Sequence, residues 1–427
     1  MSETYDLAIV GAGASGMAAA IAAGRALDGS PRPFGPPPSR TRGACENRIL
    51  LLERMPRTGK KLLATGNGRC NLGNRHAGGH EYHNKAFAAP ALERFGPAAC
   101  EAFFDSLGLA IYEDAEGRLY PRGNTAACVL DALRFGVLRA GAEIRCDCPV
   151  GGIARMPEGF LLNGVIRARR VILAAGGCAV PAQGSDGSGF ALLRALGHSI
   201  VEPRPALVPI TVQSPLLPML RGLRVRGSIA IEDDGPGNSE ATEPRRRRRA
   251  QGEILFAQDG LSGIAAMEVS REARAGTQAV LDLLPEYSLE EITARLQAWE
   301  RACPGASFAQ LLAGFLPKRV GEAVLQAIKA LLAGEGGSRR LGEAERIAKM
   351  CKRLTFPVTG TRGFAHAQVT AGGADVREFD SHTMESRVAP GLYACGEALD
   401  VDGGCGGFNL HWAWASGVTA GEAVVDK

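Results

Sequence analysis

YDLAIVGAGASGMAAAIAA, residues 5 to 23, decides the fold. Tyr5 to Val10 reads as a short buried strand, and Ser15 to Ala26 is an Ala-rich stretch that reads as helix. Between them Gly11, Gly13 and Gly16 stand in G-x-G-x-x-G spacing. Each glycine has a mechanical purpose: the first permits a tight turn, the second lets a pyrophosphate approach the backbone, and the third lets helix close on strand. Together with Ala14 and Ser15, the turn offers free N–H groups at the positive end of a helix dipole. Hydropathy alone would also admit a leader or membrane span from Leu7 to Gly24, where no charge occurs. Glu3 and Asp6 in place of a basic flank, and glycines where a continuous helix is least favoured, argue against both.

A dinucleotide turn needs an acidic partner for the ribose hydroxyls, and RILLLE ends the next strand in Glu53. Its distance from the turn exceeds the usual ~20 residues. The excess is the segment from Asp28 to Asn47, whose five Pro and three Gly propagate neither helix nor strand. A carboxylate there repels a 2′-phosphate, so NADP is disfavoured at this position.

The rest of the composition sets bounds. At 427 residues the chain exceeds the roughly 250 to 300 over which one core keeps growing, so more than one domain is expected. Net charge is only +4, and five positive charges form one run, Arg245 to Arg249. That run reads as a solvated hairpin loop, with a nucleic-acid contact as the alternative; a nucleic-acid partner is not the expectation for the whole chain, and neither is a membrane. The 11 Cys include no C-x-x-C pair, which argues against disulfides and structural zinc and for a cytoplasmic protein; Cys146 and Cys148 lack further ligands, so no metal is assigned.

Amphipathic helices are expected at Ala98 to Leu107 and Thr125 to Ala140, and a buried strand at Arg170 to Ala175. After Pro203 the chain turns to Pro-punctuated short strands and then to helices between Leu289 and Ala333. The strand Gly391 to Ala394 and the helix Leu410 to Val425 then resume the α/β pattern. The reading is a discontinuous α/β dinucleotide domain, residues 1–205 and 355–427, interrupted by a second domain at 206–354.

Three further stretches favour FAD over NAD. GKKLLATGNGRCNLGN, Gly59 to Asn74, sets Lys60, Lys61 and Arg69 among glycines just past the ribose strand, where basic groups can neutralise pyrophosphate. VILAAGG, Val171 to Gly177, ends in small residues that admit a ligand to the backbone. GLYACGEALDVDGGCGGFNLHWAWASG, Gly391 to Gly417, runs strand, Gly-rich turn, helix. GSDGSG, Gly184 to Gly189, has the wrong spacing for a second nucleotide turn.

With these stretches, GRLYP (Gly117 to Pro121), PALVPI (Pro205 to Ile210), GEILFAQDGLSG (Gly252 to Gly263), AQVTAGGADV (Ala367 to Val376) and TMESR (Thr383 to Arg387), the whole chain resembles the YhiN/BaiN-like FAD-binding oxidoreductases. That family includes proteins described as aminoacetone oxidases and as bile-acid-type enoate reductases. The resemblance implies a Rossmann-type FAD domain with an inserted β-barrel and helical domain that caps the flavin. The cofactor set it implies joins Gly11, Gly13, Ala14, Ser15, Gly16, Glu53, Arg54 and Lys61 to Thr65, Gly66, Gly68, Arg69, Cys70, Asn71 and Val150. It continues with Ala174, Ala175, Gly176, Gly177, Gly396 and Glu397, and ends with Gly406, Gly407, Phe408, Asn409 and Leu410 at the pyrimidine edge of the flavin. The chain departs from its relatives at Ala257 and Gln258, where Thr-His is usual, and at Ala179 to Pro181, where Ser-Tyr-Pro is usual.

His411 is the acid/base candidate, because it adjoins the flavin-contacting turn and His titrates near neutrality. Its place beside Trp412 and Trp414 on an apolar helix favours a hydrogen-bonded structural His instead, so no catalytic residue is assigned, and Cys178 and Cys405 read as small packing residues. Three activities follow. The first is reduction of a small organic molecule through FAD by transient NAD(P)H. The second is an amine or alcohol oxidase using oxygen, and the third a nucleic-acid-associated flavoprotein resting on the five Arg.

Overall fold

The computed structural model describes residues 3–27, 48–78, 81–233, 249–333 and 342–425. The Pro-rich insert and Arg245 to Arg248 lie outside them. The described residues form two compact units, one built from the chain up to Pro205 and from Gln368 onward, the other from Ala206–Ala367.

The first unit is built on a seven-stranded sheet. Its strands are β1 (Glu3–Val10), β2 (Ile49–Leu52), β3 (Glu143–Arg145), the hairpin β4 and β5 (Ile153–Met156, Gly159–Leu162), β6 (Ile166–Leu173) and β7 (Leu392–Ala394). The order is β3-β2-β1-β6-β5-β4, with β7 also on β6. β1, β2, β3, β6 and β7 run parallel, whereas β4 and β5 are antiparallel. Parallel strands are covered on both faces, which is why all four residues of β2 are buried and apolar. Each such side chain contributes roughly 1.5 to 3 kcal/mol on leaving water.

Helix α1 (Ala14–Leu27) follows β1, α2 (Ser188–Ala195) follows β6, and α3 (Phe408–Ala423) ends the described chain. α1 is buried continuously from Ser15 to Gly24. Its Ala-rich surface has no wide polar face because α3 lies against it; a methyl on Gly417 would come 2.4 Å from the Ser15 carbonyl, and one on Gly421 2.3 Å from that of Ala19.

Register then fixes where a ligand can lie. Val10 pairs with Leu52 and with Leu173, Leu52 with Arg145, and Leu173 with Ala394. The strands therefore end together, and their next residues, Gly11, Glu53, Ala174 and Cys395, gather at one edge. The carboxyl edge of a parallel sheet is where such folds bind ligands.

The second unit is a closed six-stranded antiparallel barrel, in spatial order Ile210–Val212, Gly260–Ser262, Arg249–Phe256, Arg224–Asp233, Thr277–Asp282 and Leu354–Thr361. Val225, Ile229, Ile231, Ile254, Phe256, Leu281 and Phe356 fill a core shared with the helices Leu289–Ala302, Lys318–Ala333 and Glu343–Lys352. The expected boundary at 354 needs correction. Leu354–Thr361 pairs with both Thr277–Asp282 and Ile210–Val212 and so closes the barrel; the unit extends to Ala367.

Candidate functional site

The converging strand ends open into a cavity of about 340 Å³, within the range usual for small-molecule sites. The turn after β1 forms its floor as the sequence requires. Gly11 has φ of +105°, and a Cβ there would lie 2.4 Å from the Ala174 carbonyl oxygen, so only glycine fits. A Cβ on Gly16 would lie 1.9 Å from the Gly11 carbonyl oxygen. A Cβ on Gly13 meets nothing within 4 Å, because it would stand in the cavity.

Glu53, only 8% exposed, is fixed by two backbone donors: the Ala12 N–H to Oε2 at 3.0 Å and the Met55 N–H to Oε1 at 2.9 Å. Each oxygen keeps a lone pair for a ribose hydroxyl. The Glu53 N–H donates to the Arg145 carbonyl and the Cys148 N–H to that of Glu53, at 2.9 Å each. That ladder brings Cys148, Pro149, Val150 and Gly151 to the cavity wall.

Lys60 and Lys61 also reach the wall, with partners of their own. Lys61 Nζ donates to Glu397 Oε2 at 2.7 Å, and Lys60 Nζ to the Ala182 carbonyl at 3.0 Å. Glu397 Oε1 accepts the Thr370 N–H at 2.7 Å, so its carboxylate is held from two sides. Arg69, expected to face pyrophosphate, instead stacks 4.7 Å from the centre of the Tyr120 ring and does not line the cavity.

The start of α3 is fastened by side chains. Asn409 Oδ1 accepts the Gly403 N–H at 2.8 Å, and its Nδ2 donates to the Gly403 and Gly404 carbonyls. Trp412 Nε1 donates to the Gly396 carbonyl at 3.1 Å, and Ser416 Oγ accepts the Gly396 N–H at 2.9 Å. Asn409, Leu410 and Trp412 line the cavity.

Of the residues read from sequence, Gly11, Gly13, Ala14, Ser15, Glu53, Arg54, Lys61, Thr65, Val150, Ala174, Ala175, Gly176, Glu397, Asn409 and Leu410 come together there. The others stand behind it. Gly16 packs on Gly11, Gly396 on Ser15, Gly177 on Thr370, and Gly407 on Asn71 and Gly73. Gly66 and Gly68 shape the turn that carries Thr65, whereas Gly406 accepts a hydrogen bond from Asn74. Cys70 is fully buried, which pushes its thiol up to about 12. The Phe408 carbonyl accepts the Tyr82 hydroxyl at 2.8 Å.

His411 does not reach the cavity. It is fully buried, its Nε2 donates to the Phe95 carbonyl at 2.9 Å, and burial pushes its pKa below the ordinary histidine value. A neutral imidazole so placed has no proton to give at the cavity, and the structural reading of this residue replaces the catalytic one.

Sequence reading missed the loop from Gln183 to Gly189. Gln183, Gly184, Ser185, Ser188 and Gly189 all line the cavity, as do Gln368, Val369 and Val401. Among the described residues, Gln183 Oε1 and Ser185 Oγ are buried without a hydrogen-bond partner. The available signal is GSDGSG in the connection from β6 into α2, whose spacing is not that of a phosphate turn.

Orphaned acceptors, an open Gly13, a fixed ribose-type carboxylate and helix starts at one cavity fit a bound dinucleotide. The fold and site define a Rossmann-type FAD-dependent oxidoreductase. The chain belongs to the HI0933-like Rossmann-domain family, whose description matches residues 39–423. It is 34% identical to a 3-dehydro-bile acid delta(4,6)-reductase of Clostridium scindens, over 99% of both chains. It is 30% identical to a ribosomal RNA dihydrouridine synthase of Escherichia coli, over 99% of this chain and 98% of the relative. A Haemophilus influenzae protein of the latter name is 25% identical over 86% of this chain and 90% of its own. The family resemblance read from the motifs is thereby borne out. No helix among the described residues is long and apolar enough to cross a membrane.

Proposed function

We propose that the chain reduces a carbon–carbon double bond conjugated with a carbonyl, with NAD(P)H as the transient electron source and a small organic molecule as substrate. The observation that carries this reading is the cavity of the first unit, where the α1 turn, Glu53 and the start of α3 converge. The relatives' names support the reaction class: a delta(4,6)-reductase of a 3-dehydro compound and a maker of dihydrouridine both saturate a bond conjugated with a carbonyl.

Bound FAD supplies the two-electron hydride chemistry. The chain's own groups bind and orient. The N–H groups from Gly13 to Ser15 meet the pyrophosphate, and Glu53 takes the adenosine ribose hydroxyls. Lys61 and Thr370 hold Glu397 as a fixed acceptor for ribityl hydroxyls. The first N–H groups of α3, near Asn409 and Leu410, favour negative charge at the pyrimidine edge by up to ~2 kcal/mol. Saturation of the substrate's double bond balances with a hydride to the β carbon from the flavin and a proton to the α carbon from water, the electron pair resting meanwhile on the carbonyl oxygen.

Anaerobic mixing with NADH or NADPH tests the proposal. Rapid loss of the visible flavin absorbance, restored by an added enone, is the expected result. Indifference to both nicotinamides, with bleaching by an amine or alcohol and recovery in oxygen, would replace it with the oxidase. A second reading, uridine of ribosomal RNA as substrate, is favoured by the relative 30% identical to this chain. Dihydrouridine appearing in ribosomal RNA incubated with the reduced protein, while enones leave it reduced, would establish that reading instead.

A further inference from the structure

We infer that the loop from Gln183 to Ser188 reads the adenosine half of the dinucleotide, with Gln183 and Ser185 as the residues that make FAD rather than a shorter flavin the cofactor. The inference rests on the FAD reading above and adds a specificity element that the glycine turn and Glu53 do not supply.

The first support is unmet hydrogen bonding. Ser185 is 5% exposed, and its Oγ has no partner among the described residues although it borders the cavity. Gln183 Oε1 is buried in the same condition. A buried polar atom left unpaired costs about 1 to 3 kcal/mol, so two at one cavity wall mark contacts that a ligand completes. An amide oxygen only accepts, and a hydroxyl both accepts and donates. The pair therefore suits a group rich in O–H and N–H donors, such as a ribose or an adenine amino group, and not a phosphate.

The second support is position. Arg54 immediately follows Glu53, and its Nη1 lies 2.5 Å from Asp186 Oδ2 and 3.1 Å from Ser188 Oγ. A Cβ on Gly184 would touch Met55 Cγ at 3.0 Å. The loop is thus fastened to the two residues that follow the ribose carboxylate. That fastening assigns it to the adenosine end of the cavity. A Cβ on Gly176 would lie 3.0 Å from Ser185 Oγ, so the buried hydroxyl is seated against the backbone just past the end of β6.

The charges nearby agree with a neutral ligand group. Asp186 faces Arg54, and burial raises its carboxyl, but the hydrogen bonds from Ser188 and Arg54 outweigh this and hold it below the usual range. It stays ionised and paired with Arg54, so the loop offers the ligand no unpaired positive charge of the kind a phosphate seeks.

The full chain, freed of flavin, is titrated with FAD and with FMN by flavin fluorescence, as wild type, S185A and Q183A. Each substitution is expected to weaken FAD binding roughly tenfold while FMN binds as it does to wild type, since only FAD carries adenosine. FAD affinity within about twofold of wild type in both variants would overturn the assignment. So would an equal loss for FMN, which would move these residues to the flavin half. A wild-type chain that takes up no FAD would instead overturn the cofactor reading. Circular dichroism melting of each variant separates a lost contact from a lost fold.

Discussion

Gly13 and Gly16 belong to one motif but answer to different constraints, and two substitutions separate them. A side chain on Gly13 enters open cavity, whereas one on Gly16 drives into the Gly11 carbonyl at 1.9 Å. Gly13→Leu is expected to give a protein that purifies colourless yet melts like wild type stripped of its flavin. Gly16→Ala is expected to lose about 1 to 3 kcal/mol or more of stability, because backbone must move. Thermal melting beside the visible spectrum checks both. A second residue-scale device lies away from the cavity: Glu378 Oε2 is 2.8 Å from His198 Nδ1, and the Ser386 hydroxyl is 2.9 Å from Nε2. The arrangement resembles a catalytic triad, but Ser386 Oγ already accepts the N–H groups of Val388 and Ala389 and is buried, so it pins a turn. Burial raises the Glu378 carboxyl, and the hydrogen bonds from Ser199 and His198 outweigh it, so the net pKa is below the ordinary value. A lowered carboxylate stabilises fully above its unfolded pKa, and that contribution disappears as pH falls through the folded one. Wild type should exceed E378Q by about 1 to 3 kcal/mol near neutrality, with the gap closing on acidification through the carboxylate range. A gap independent of pH in denaturant titrations would contradict this.

At the scale of elements, α3 does more for the cavity than its sequence announces. From its apolar, Trp-bearing run one reads a buried helix, and the helix is there. What the run does not disclose is that Trp412 reaches back to the Gly396 carbonyl and Trp414 to that of Leu72, 342 residues away. Such contacts depend on where the sheet places each segment. Local chemistry is legible: the β1 turn, Glu53 and the glycines show themselves by spacing because the backbone imposes it. The Gln183 to Gly189 loop was not legible, since its contribution comes from side chains met only after β6 and β2 align. The partner that fixes His411, the Phe95 carbonyl, is likewise distant in sequence, so the residue's structural part can be weighed from the chain but its partner cannot be named. Trp412→Phe keeps the ring but leaves the Gly396 carbonyl without its donor, at a cost of about 1 to 3 kcal/mol. Because Trp412 also lines the cavity, flavin content on purification should fall together with the melting temperature, and added FAD should recover part of the latter. Unchanged flavin content would show that the tie does not hold the turn.

Over the whole molecule, the discontinuity was read correctly in kind from the change of pattern near residue 203, but its far end was placed too early. The strand Leu354–Thr361 contains Pro357, which by itself reads as an ending, whereas in the barrel the Pro357 carbonyl accepts the Gln213 N–H and the strand joins first to last. Barrel closure is a long-range property and leaves no local mark. It does have a consequence for folding. Ile210 pairs with Thr361, and the Arg362 N–H donates to the Pro209 carbonyl at 3.0 Å, so the chain enters and leaves the second unit side by side. The two apolar cores share no residue. A closed barrel with its own core and adjacent ends meets the conditions for folding alone. Residues 206–367 expressed by themselves should therefore unfold in one cooperative step that FAD does not move, and residues 1–205 joined by a short linker to 368–427 should purify yellow. If the excised barrel lacks a cooperative transition, its core depends on the rest of the chain; if the joined remainder is folded yet colourless, the first unit does not hold the flavin unaided.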